Sequence, residues 1–480
     1  MIFNSYDFII IFFPVTILVY YLLYRFNPNI RIAFLLIASL IYYRYKNSFL
    51  LLLIISVVLN YLLHYFINYF DKKKRITLKK VLLFSGIVLN LSLLFYFKYY
   101  NFAIDTINIL FKTNFTISDS TLPIGISFIT FQQIAFLVDT YYKTIPSCNL
   151  LKYSLFTAYF PHISSGPIIL YNYFVPQLSY DKKEVDWDKI AMGIYIFVMG
   201  LGKKVLIADM LAKAADWGYA NLMELNTTTA LFVSILYSLQ IYFDFSGYSD
   251  MAIGISRILQ LDLPVNFNSP YKAETILDFW DRWHITLTQF LTRYLYIPLG
   301  GNRKGKVRTY LNILIVFLCS GLWHGASWTF VAWGALHGIF MVFTRFFYDY
   351  IKSIPKIVNR VITLLFVNFT WILFRSNSFT VFKQMMGAIL QNKWGPLNEE
   401  LCNLCKPYLV EKITVVELPY WLWTVAVLIV IVFLTLKCQN VYERAKNLKY
   451  LPLTMIWVLA VAILSILSLS GITTFIYSNF

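Results

Sequence analysis

The sequence predicts an all-α, polytopic membrane protein, because its composition and its apolar runs both suit a lipid environment. Of the 480 residues, 59% are apolar and 14% are charged, and the mean hydropathy is +0.63. A soluble domain carries about 25% charged residues. Apolar runs of about 18 to 25 residues recur along the chain, and each is long enough for a helix to cross about 30 Å of hydrocarbon. The sequence lacks the alternating segments of about ten residues that indicate a transmembrane barrel.

The expected spans are about twelve in number. They lie at residues 7–24, 31–48, 50–70, 80–98, 121–142, 189–209, 228–250, 309–326, 329–347, 360–375, 419–437 and 452–473. The residues before the first span have no basic region and no cleavage site, so that span is expected to be retained. No internal repeat or linker interrupts the pattern, and residues 1–480 are expected to form one membrane-embedded domain.

Two further apolar segments are not expected to cross the membrane. The segment from Leu151 to Phe174 contains two prolines and a glycine within Phe160-Pro-His-Ile-Ser-Ser-Gly-Pro167. A continuous helix does not tolerate this pattern, so a re-entrant segment is predicted. Residues 279–295 place apolar side chains at helical spacing with charged ones between them. This pattern predicts an amphipathic helix that lies in the interface or lines a cavity.

The basic residues indicate the orientation of the spans. The formal net charge is +17, but the lysines and arginines lie mostly in short loops between apolar runs, which excludes nucleic acid as the expected partner. The positive-inside rule places the most basic loops in the cytoplasm and both termini outside it. Those loops are Arg25 with Arg31, Asp71 to Lys80, Arg303 to Arg308, Lys352 to Arg360, and Arg444 to Lys449.

Histidines are the main candidates for chemistry, and three of the five fall between Phe279 and Gly338. His324 ends an apolar run and is flanked by two glycines at a spacing that lets helices approach closely. An imidazole there can take a proton from a hydroxyl nucleophile, although a packing histidine would have the same sequence context. His284 has Asp281 three residues before it, on the same helical face, so that an acidic partner or a solvated polar face is expected.

Other polar groups leave their roles open. Asp244 and Ser246 lie in Gln240-Ile-Tyr-Phe-Asp-Phe-Ser-Gly-Tyr-Ser-Asp250, where they either line a polar pocket, the favoured interpretation, or pair structurally. His337 is expected to be structural, and His64 and His162 have no partner that the sequence reveals. No metal site is expected from this histidine spacing, and the single C-x-x-C at Cys402 and Cys405 receives no chemistry.

Several motifs together resemble the membrane-bound O-acyltransferase family, in its bacterial branch that acetylates polysaccharides such as peptidoglycan and alginate. The resemblance covers nearly the whole chain. The motifs are Phe279-Trp-Asp-Arg-Trp-His284, Tyr296-Ile-Pro-Leu-Gly-Gly-Asn-Arg303, Gly321-Leu-Trp-His-Gly325, Leu122-Pro-Ile-Gly-Ile-Ser-Phe128, Phe160 to Pro167 and Asp244-Phe-Ser-Gly-Tyr-Ser-Asp-Met-Ala252. The branch often has a basic residue at the position of Asp281.

The resemblance implies a ring of helices around a central tunnel, with re-entrant and amphipathic segments, in the bacterial cytoplasmic membrane. His324 matches the family's catalytic histidine, and His284 matches its second functional histidine. Trp283, Trp323, Asp244 and Ser246 are the substrate-binding candidates. No bound cofactor is implied, and the donor substrate would be acetyl-CoA or another acetyl thioester.

The closing residues Phe475-Ile-Tyr-Ser-Asn-Phe480 resemble a terminal peptide of this branch, in which a tyrosine is proposed to carry the acyl group. Tyr477 would be that tyrosine, and residues 474–480 would form an extracytoplasmic acyl-relay peptide. A phenol, with a pKa near about 10, leaves more readily than an aliphatic alcohol, which suits a relay. The implied partner is an extracytoplasmic SGNH-type acetyltransferase.

The residues and the resemblance together predict a membrane O-acetyltransferase that serves a cell-envelope or extracellular polysaccharide. A transporter or flippase that uses His324 as a proton relay is the alternative, because intramembrane polar groups also suit transport. Such a protein is expected to show an internal inverted repeat, which the sequence lacks. A scaffold for an envelope acetylation complex is a third hypothesis, under which loss of His324 would leave acetylation intact.

Overall fold

The structure, a computed structural model, describes residues 2–46, 48–118, 121–145, 148–178, 184–406, 419–448 and 452–469. In these ranges it consists of helices and connecting segments, without β-strands. Nine helices in the described ranges are long and apolar enough to cross a membrane: Asp7–Arg25, Leu50–Lys72, Ile76–Phe111, Trp187–Ala220, Thr227–Ile258, Lys306–His324, Trp328–Phe346, Lys356–Arg375 and Tyr420–Lys437. The predicted all-α polytopic fold is confirmed.

The other three predicted spans fall on helices that are shorter or more polar. Residues 121–142 correspond to helix Ile126–Tyr141 and residues 452–473 to helix Pro452–Leu467, each of 16 residues. A straight crossing needs about 20 residues. Residues 31–48 correspond to the 19-residue helix Pro28–Lys46, which carries two arginines as well as its terminal lysine. The described ranges therefore contain nine clear spans, compared with the predicted number of about twelve.

The chain divides into two compact units. The first unit comprises residues 1–194 and 252–264, and the second comprises residues 195–251 and 265–480. The first unit contains the helices Phe13–Leu22, Pro28–Lys46, Leu50–Lys72, Ile76–Leu94, Tyr100–Phe111, Ile126–Tyr141, Leu150–Ala158 and Tyr171–Leu178.

Buried polar pairs hold helices of the first unit together. Asn60 and Asn90 donate side-chain hydrogen bonds to each other, at 3.3 and 2.8 Å. His64 Nδ1 lies 2.8 Å from the hydroxyl oxygen of Thr140, on a third helix. Such bonds join helices that have no hydrophobic driving force for association in lipid. Thr140 is thus a hydrogen-bond partner of His64 that the sequence did not reveal.

The predicted break between Leu151 and Phe174 is present. Helix Leu150–Ala158 ends before the two prolines, and helical structure resumes at Tyr171. His162 lies within the break and is wholly buried. Its Nδ1 accepts a hydrogen bond from Gln132 Nε2 at 3.2 Å, and its Nε2 donates one to the Phe156 carbonyl at 3.0 Å. Both ring nitrogens are therefore used to hold the break in shape.

The second unit carries most of the remaining helices. They are Asp209–Ala220, Ile276–Arg282, Ile285–Leu291, Lys306–His324, Trp328–Phe346, Tyr348–Ser353, Lys356–Arg375, Phe379–Leu390, Glu399–Leu404, Tyr420–Lys437, Val441–Lys446 and Pro452–Leu467. Two longer helices, Trp187–Gly202 and Thr227–Ile258, contribute residues to both units. A π-helical turn, Lys203–Ala208, joins Trp187–Gly202 to Asp209–Ala220.

Helices Lys306–His324 and Trp328–Phe346 form a tight hairpin, and glycines set the distance between them. A methyl group on Gly321 would collide with the carbonyl oxygen of Phe330, and one on Gly334 would collide with the carbonyl oxygen of Phe317. The predicted role of Gly321 in close helix approach therefore agrees with its position. Gly325 lies beyond the helix end, where the ring of Phe330 occupies the space beside its Cα.

Gly321→Ala is expected to destabilise the protein by about 1–3 kcal/mol, because the added methyl group overpacks the hairpin against backbone that cannot move aside. Gly387→Ala is the matched control, since it lies inside helix Phe379–Leu390 and an added Cβ would meet nothing within 4 Å. Thermal unfolding in detergent compares the two variants. Equal melting temperatures would show that the hairpin does not depend on this contact.

Candidate functional site

His324 is the last residue of helix Lys306–His324 and is buried among aromatic rings. Trp333 and Phe374 meet its imidazole edge-to-face, with ring centroids 5.1 and 5.5 Å away. The ring of Trp323 lies 5.0 Å from it. The helix positions this side chain because it ends at His324 and the extended backbone of Gly325 turns the chain into the second arm of the hairpin.

His284 lies at a break between two short helices, which corrects the prediction of one amphipathic helix over residues 279–295. Helix Ile276–Arg282 ends before Trp283, and helix Ile285–Leu291 begins after His284. His284 has a left-handed backbone, with φ 47° and ψ 51°. Its side chain is completely buried, so the solvated polar face expected for it is also wrong. Burial lowers the pKa of His284, which lies outside the spanning helices, to about 3.

The side-chain partner of His284 is Asn266, whereas the sequence suggested Asp281. Asn266 Oδ1 lies 3.1 Å from His284 Nδ1. Asp281 is exposed, near the end of the helix before the break. Helical spacing does not apply across a residue in the left-handed conformation, so an i,i+3 pair does not form here.

The structure brings His284 and His324 together. Their ring centroids are 6.4 Å apart, and Trp323 lies beside both, 5.9 Å from the first and 5.0 Å from the second. Phe245 closes another side of His284, edge-to-face at 4.8 Å. Two adjacent imidazoles in a protected site have the chemistry needed for general acid–base catalysis.

His337 has hydrogen-bond partners of the kind expected for a structural histidine. Trp280 Nε1 donates to His337 Nδ1 at 3.3 Å, and His337 Nε2 lies 3.0 Å from the hydroxyl oxygen of Thr370. The Thr370 hydroxyl donates to the Val367 carbonyl at 2.9 Å, so its oxygen is an acceptor for His337. Both nitrogens of His337 are thus used within the protein.

The carboxylates of Asp244 and Asp250 are held in buried ion pairs. Lys204 Nζ lies 2.7 Å from both Asp244 and Asp209, and Lys203 Nζ lies 2.7 Å from Asp250. These ion pairs hold helix Thr227–Ile258 against the segment Lys203–Ala208, which carries the two lysines. The backbones also approach closely just before that segment, where Gly200 faces Gly247. Asp244 therefore lies in a network of buried ion pairs.

The other substrate-binding candidates differ in their relation to the histidines. Trp323 contacts both, as described above. Trp283 instead packs in an aromatic cluster, with ring centroids 4.9 Å from Trp371, 5.0 Å from Phe267 and 5.6 Å from Phe279. Ser246 is buried on helix Thr227–Ile258, one residue after Phe245. Tyr477 lies outside the described residues.

A cavity of about 530 Å³ adjoins the hairpin. It is lined by residues of helices Ile276–Arg282, Ile285–Leu291, Lys306–His324 and Trp328–Phe346. Its wall includes Ser320, one helical turn before His324, and Trp280, whose ring lies 5.8 Å from that of Trp333. Trp333 in turn packs on His324, so Trp280 and Trp333 connect this wall of the cavity to that histidine.

Three residues of the site were not identified from the sequence. Trp333 and Phe374 enclose His324, and Asn266 binds His284. Each lies far along the chain or on another helix, so local spacing gives no sign of the contact. In the described part of the chain, no group of three or more His, Cys, Asp or Glu side chains is arranged to hold a metal ion.

Comparisons with known proteins agree with the motif resemblance. The profile of MBOAT, the membrane-bound O-acyltransferase family, matches residues 143–385. The chain is 39% identical to a peptidoglycan O-acetyltransferase of Helicobacter pylori, over 85% of this chain and 82% of that protein. It is 38% identical to a probable alginate O-acetylase of Pseudomonas aeruginosa, over 83% and 76% of the two chains. A teichoic acid D-alanyltransferase of Bacillus subtilis is 28% identical, over 53% and 69%.

The family match includes both histidines of the site, and the bacterial O-acetylating relatives align with most of the chain. The resemblance read from the motifs is therefore confirmed: the chain belongs to the membrane-bound O-acyltransferase family and is an acyltransferase.

Proposed function

We propose that this acyltransferase catalyses O-acetylation of a cell-envelope or extracellular polysaccharide, taking acetyl from a thioester in the cytoplasm. The relatives named peptidoglycan O-acetyltransferase and alginate O-acetylase support the class of product. The observation that carries the proposal is the pair of buried imidazoles, with ring centroids 6.4 Å apart, one of which, His324, ends a spanning helix. The proposed location is the bacterial cytoplasmic membrane.

In the proposed reaction, His324 is the general base. The acceptor hydroxyl gives its proton to a ring nitrogen of His324 while its oxygen attacks the carbonyl carbon of the thioester. The new carbon–oxygen bond forms, the carbon–sulfur bond breaks, and the imidazolium returns the proton to the leaving thiolate. Base catalysis of this kind contributes about 10²- to 10⁴-fold in rate.

The cavity of about 530 Å³ is the proposed entrance for the donor. It lies beside the cytoplasmic ends of the hairpin helices if the basic loops face inward, as the positive-inside rule predicts. The donor would be acetyl-CoA or another acetyl thioester. Trp280, Phe317 and Ile313 supply an apolar wall for a small acyl group, while Asp278 and Arg345 supply polar contacts.

Tyr477 is the proposed acceptor of the acetyl group. Residues 474–480 would lie outside the cytoplasm, and an acetyl ester on the phenol keeps enough transfer potential to pass its acetyl onward. A separate extracytoplasmic acetyltransferase, of the SGNH type, would move that group to a glycan hydroxyl. The acetyl group would thus cross the membrane as an ester on the protein.

Tyr477→Phe is expected to abolish acetyl labelling of the C-terminal peptide and acetylation of the glycan, because phenylalanine lacks the oxygen that would carry the ester. Cells or membranes supplied with isotope-labelled acetyl donor are digested, and the peptide is analysed by mass spectrometry. Tyr65→Phe is the matched control, since this tyrosine is 57% exposed on helix Leu50–Lys72.

A wild-type peptide that never acquires acetyl, in a strain that still acetylates its glycan, would rule out the relay.

The alternative function, a transporter or flippase with His324 as a proton relay, makes a different prediction for purified protein. Proteoliposomes would then move an intact substrate without cleaving a thioester.

A further inference from the structure

We infer that Asn266 is a positioning residue, which holds His284 in the tautomer with its proton on Nδ1 and so leaves Nε2 as a hydrogen-bond acceptor for a bound substrate. The tautomer follows from the hydrogen-bond geometry alone. Its role in acetyl transfer rests on the proposed function.

The first step is to identify which atom of the Asn266 amide faces His284. The same amide atom lies 3.3 Å from the backbone nitrogen of Thr286 and 2.9 Å from the Thr286 hydroxyl. A backbone N–H can only donate a hydrogen bond. The atom that accepts this bond must therefore be the oxygen, Oδ1, which fixes the orientation of the amide.

The second step concerns His284. Its Nδ1 lies 3.1 Å from that same oxygen. Since Oδ1 only accepts, Nδ1 must carry the hydrogen and donate it. A neutral imidazole has one protonated nitrogen, so Nε2 carries the lone pair. Asn266 thus selects one of the two neutral tautomers, as the partner of a functional histidine commonly does.

Asn266 also binds the backbone beside His284. The backbone nitrogen of Ile285 donates to the carbonyl oxygen of Asn266 at 3.0 Å. Asn266 therefore binds the chain on the C-terminal side of His284 through its backbone and the imidazole through its side chain. These two attachments hold the left-handed conformation of His284, which is uncommon for a residue other than glycine.

The remaining nitrogen of His284 is the one available to a substrate. His284 Nε2 is buried and has no hydrogen-bond partner among the described residues. A buried polar atom in this state lowers the stability of the fold, and a ligand that donates a hydrogen bond to it would offset that loss. The rings of Trp323, His324 and Phe245 pack around His284, and the centroid of the His324 ring is 6.4 Å from that of His284.

The tautomer restricts what neutral His284 can do. Its Nε2 accepts a hydrogen bond from an O–H or N–H group, and it cannot donate one to an oxygen that becomes negative. We therefore assign His284 to the binding of a substrate hydroxyl or amide hydrogen beside His324, and not to an oxyanion hole.

Asn266→Leu is the main test. Leucine has about the shape of asparagine but lacks the acceptor oxygen, so the single proton of the neutral His284 ring is free to lie on Nε2. With acetyl-CoA as the probe, kcat is expected to fall roughly 10²-fold, the upper end of the range for loss of a partner that orients a metal-bound histidine, with little change in KM. Asn266→Asp preserves the acceptor. At about pH 9, above the range in which histidine titrates, its kcat is expected to stay within about tenfold of wild type.

Asn90→Leu is the matched control for loss of a buried asparagine, since Asn90 is 1% exposed and bonds to Asn60 in the first unit. It is expected to lower the melting temperature and to leave kcat unchanged. If Asn266→Leu behaves in the same way while remaining folded, Asn266 is only structural and the assignment is overturned.

Histidine-selective ¹⁵N NMR tests the tautomer without any assay of activity. The signals lost in His284→Gln belong to His284, and they should show a protonated Nδ1 and an unprotonated Nε2 in wild type, with a change in Asn266→Leu. A protonated Nε2 in neutral wild-type protein would overturn the inference whatever the enzyme does. If the tautomer is as inferred but His324 variants still transfer acetyl, the proposed function fails and the tautomer stands.

Discussion

His324→Gln is expected to lower the rate of acetyl transfer by about 10³-fold, within the usual range for loss of a general base, while the protein stays folded. Glutamine approximates the shape of histidine but cannot accept the proton of a hydroxyl nucleophile at neutral pH. The site at the end of helix Lys306–His324 would be intact and inactive. Labelled acetyl on the C-terminal peptide and on the glycan measures the loss, and thermal unfolding in detergent measures the fold.

His337→Gln is the control for the loss of a buried histidine, and it is expected to lower stability and not the rate of transfer. His337 is as deeply buried as His324, but it uses both ring nitrogens in bonds to Trp280 and Thr370. Its loss is expected to destabilise the protein by about 1–3 kcal/mol and to affect the rate constant of the surviving folded protein only slightly. A His324→Gln variant that retains normal acetylation would instead favour the scaffold hypothesis.

Lys204→Met is expected to destabilise the protein by about 3–5 kcal/mol, because it leaves two buried carboxylates without their shared cation. The Lys204 side chain is 4% exposed, and that of Asp244 is 1% exposed. Asp244 and Asp209 would then repel each other across the space that the Lys204 ammonium occupies in the wild-type protein. Loss of the folded protein, or a large fall in melting temperature, is the measured outcome.

Lys446→Met is the matched control for this substitution. Lys446 pairs with Glu443 on the surface, where the two side chains are 49% and 53% exposed. An exposed pair of this kind contributes at most about 1 kcal/mol. If Lys204→Met were no more harmful than Lys446→Met, the buried network would not be structural, and a substrate role for Asp244 would become the better explanation of its position.

The fold was largely predictable from the sequence because membrane crossing depends on local composition. A run of apolar residues long enough to span hydrocarbon must hydrogen-bond its own backbone, and a helix is the simple way to do so. Marginal cases such as Pro28–Lys46 were harder, since charged residues near the ends of a helix reduce its hydropathy without preventing the helix.

The histidine pair was predictable, but its surroundings were not. Histidine is costly inside a membrane, so His324 is conspicuous by its position alone. The break at His284 leaves no such signal, since the helical spacing of Trp280, Trp283 and Leu287 continues across it. Tertiary bonds from Asn266 impose the break, and they override a local preference that looks uniformly helical.

The ion pairs of Asp244 and Asp250 were likewise not predictable from local sequence. Their partners, Lys203 and Lys204, lie on a different helical segment some forty positions earlier in the chain. Helical periodicity reports which residues share a face of one helix. It contains no information about which face of another helix they meet, and so the sequence favoured a polar pocket where the structure shows ion pairs.

The left-handed residue at position 284 has a practical consequence for protein engineering. A histidine in that conformation carries about 1–3 kcal/mol of strain, whereas glycine adopts it without penalty and asparagine adopts it readily. Glycine or asparagine at this position would relieve that strain, whereas under the proposed function it would also remove the imidazole that binds substrate beside His324. Screens for more tractable forms of the enzyme need to keep codon 284 fixed or to select for turnover at the same time.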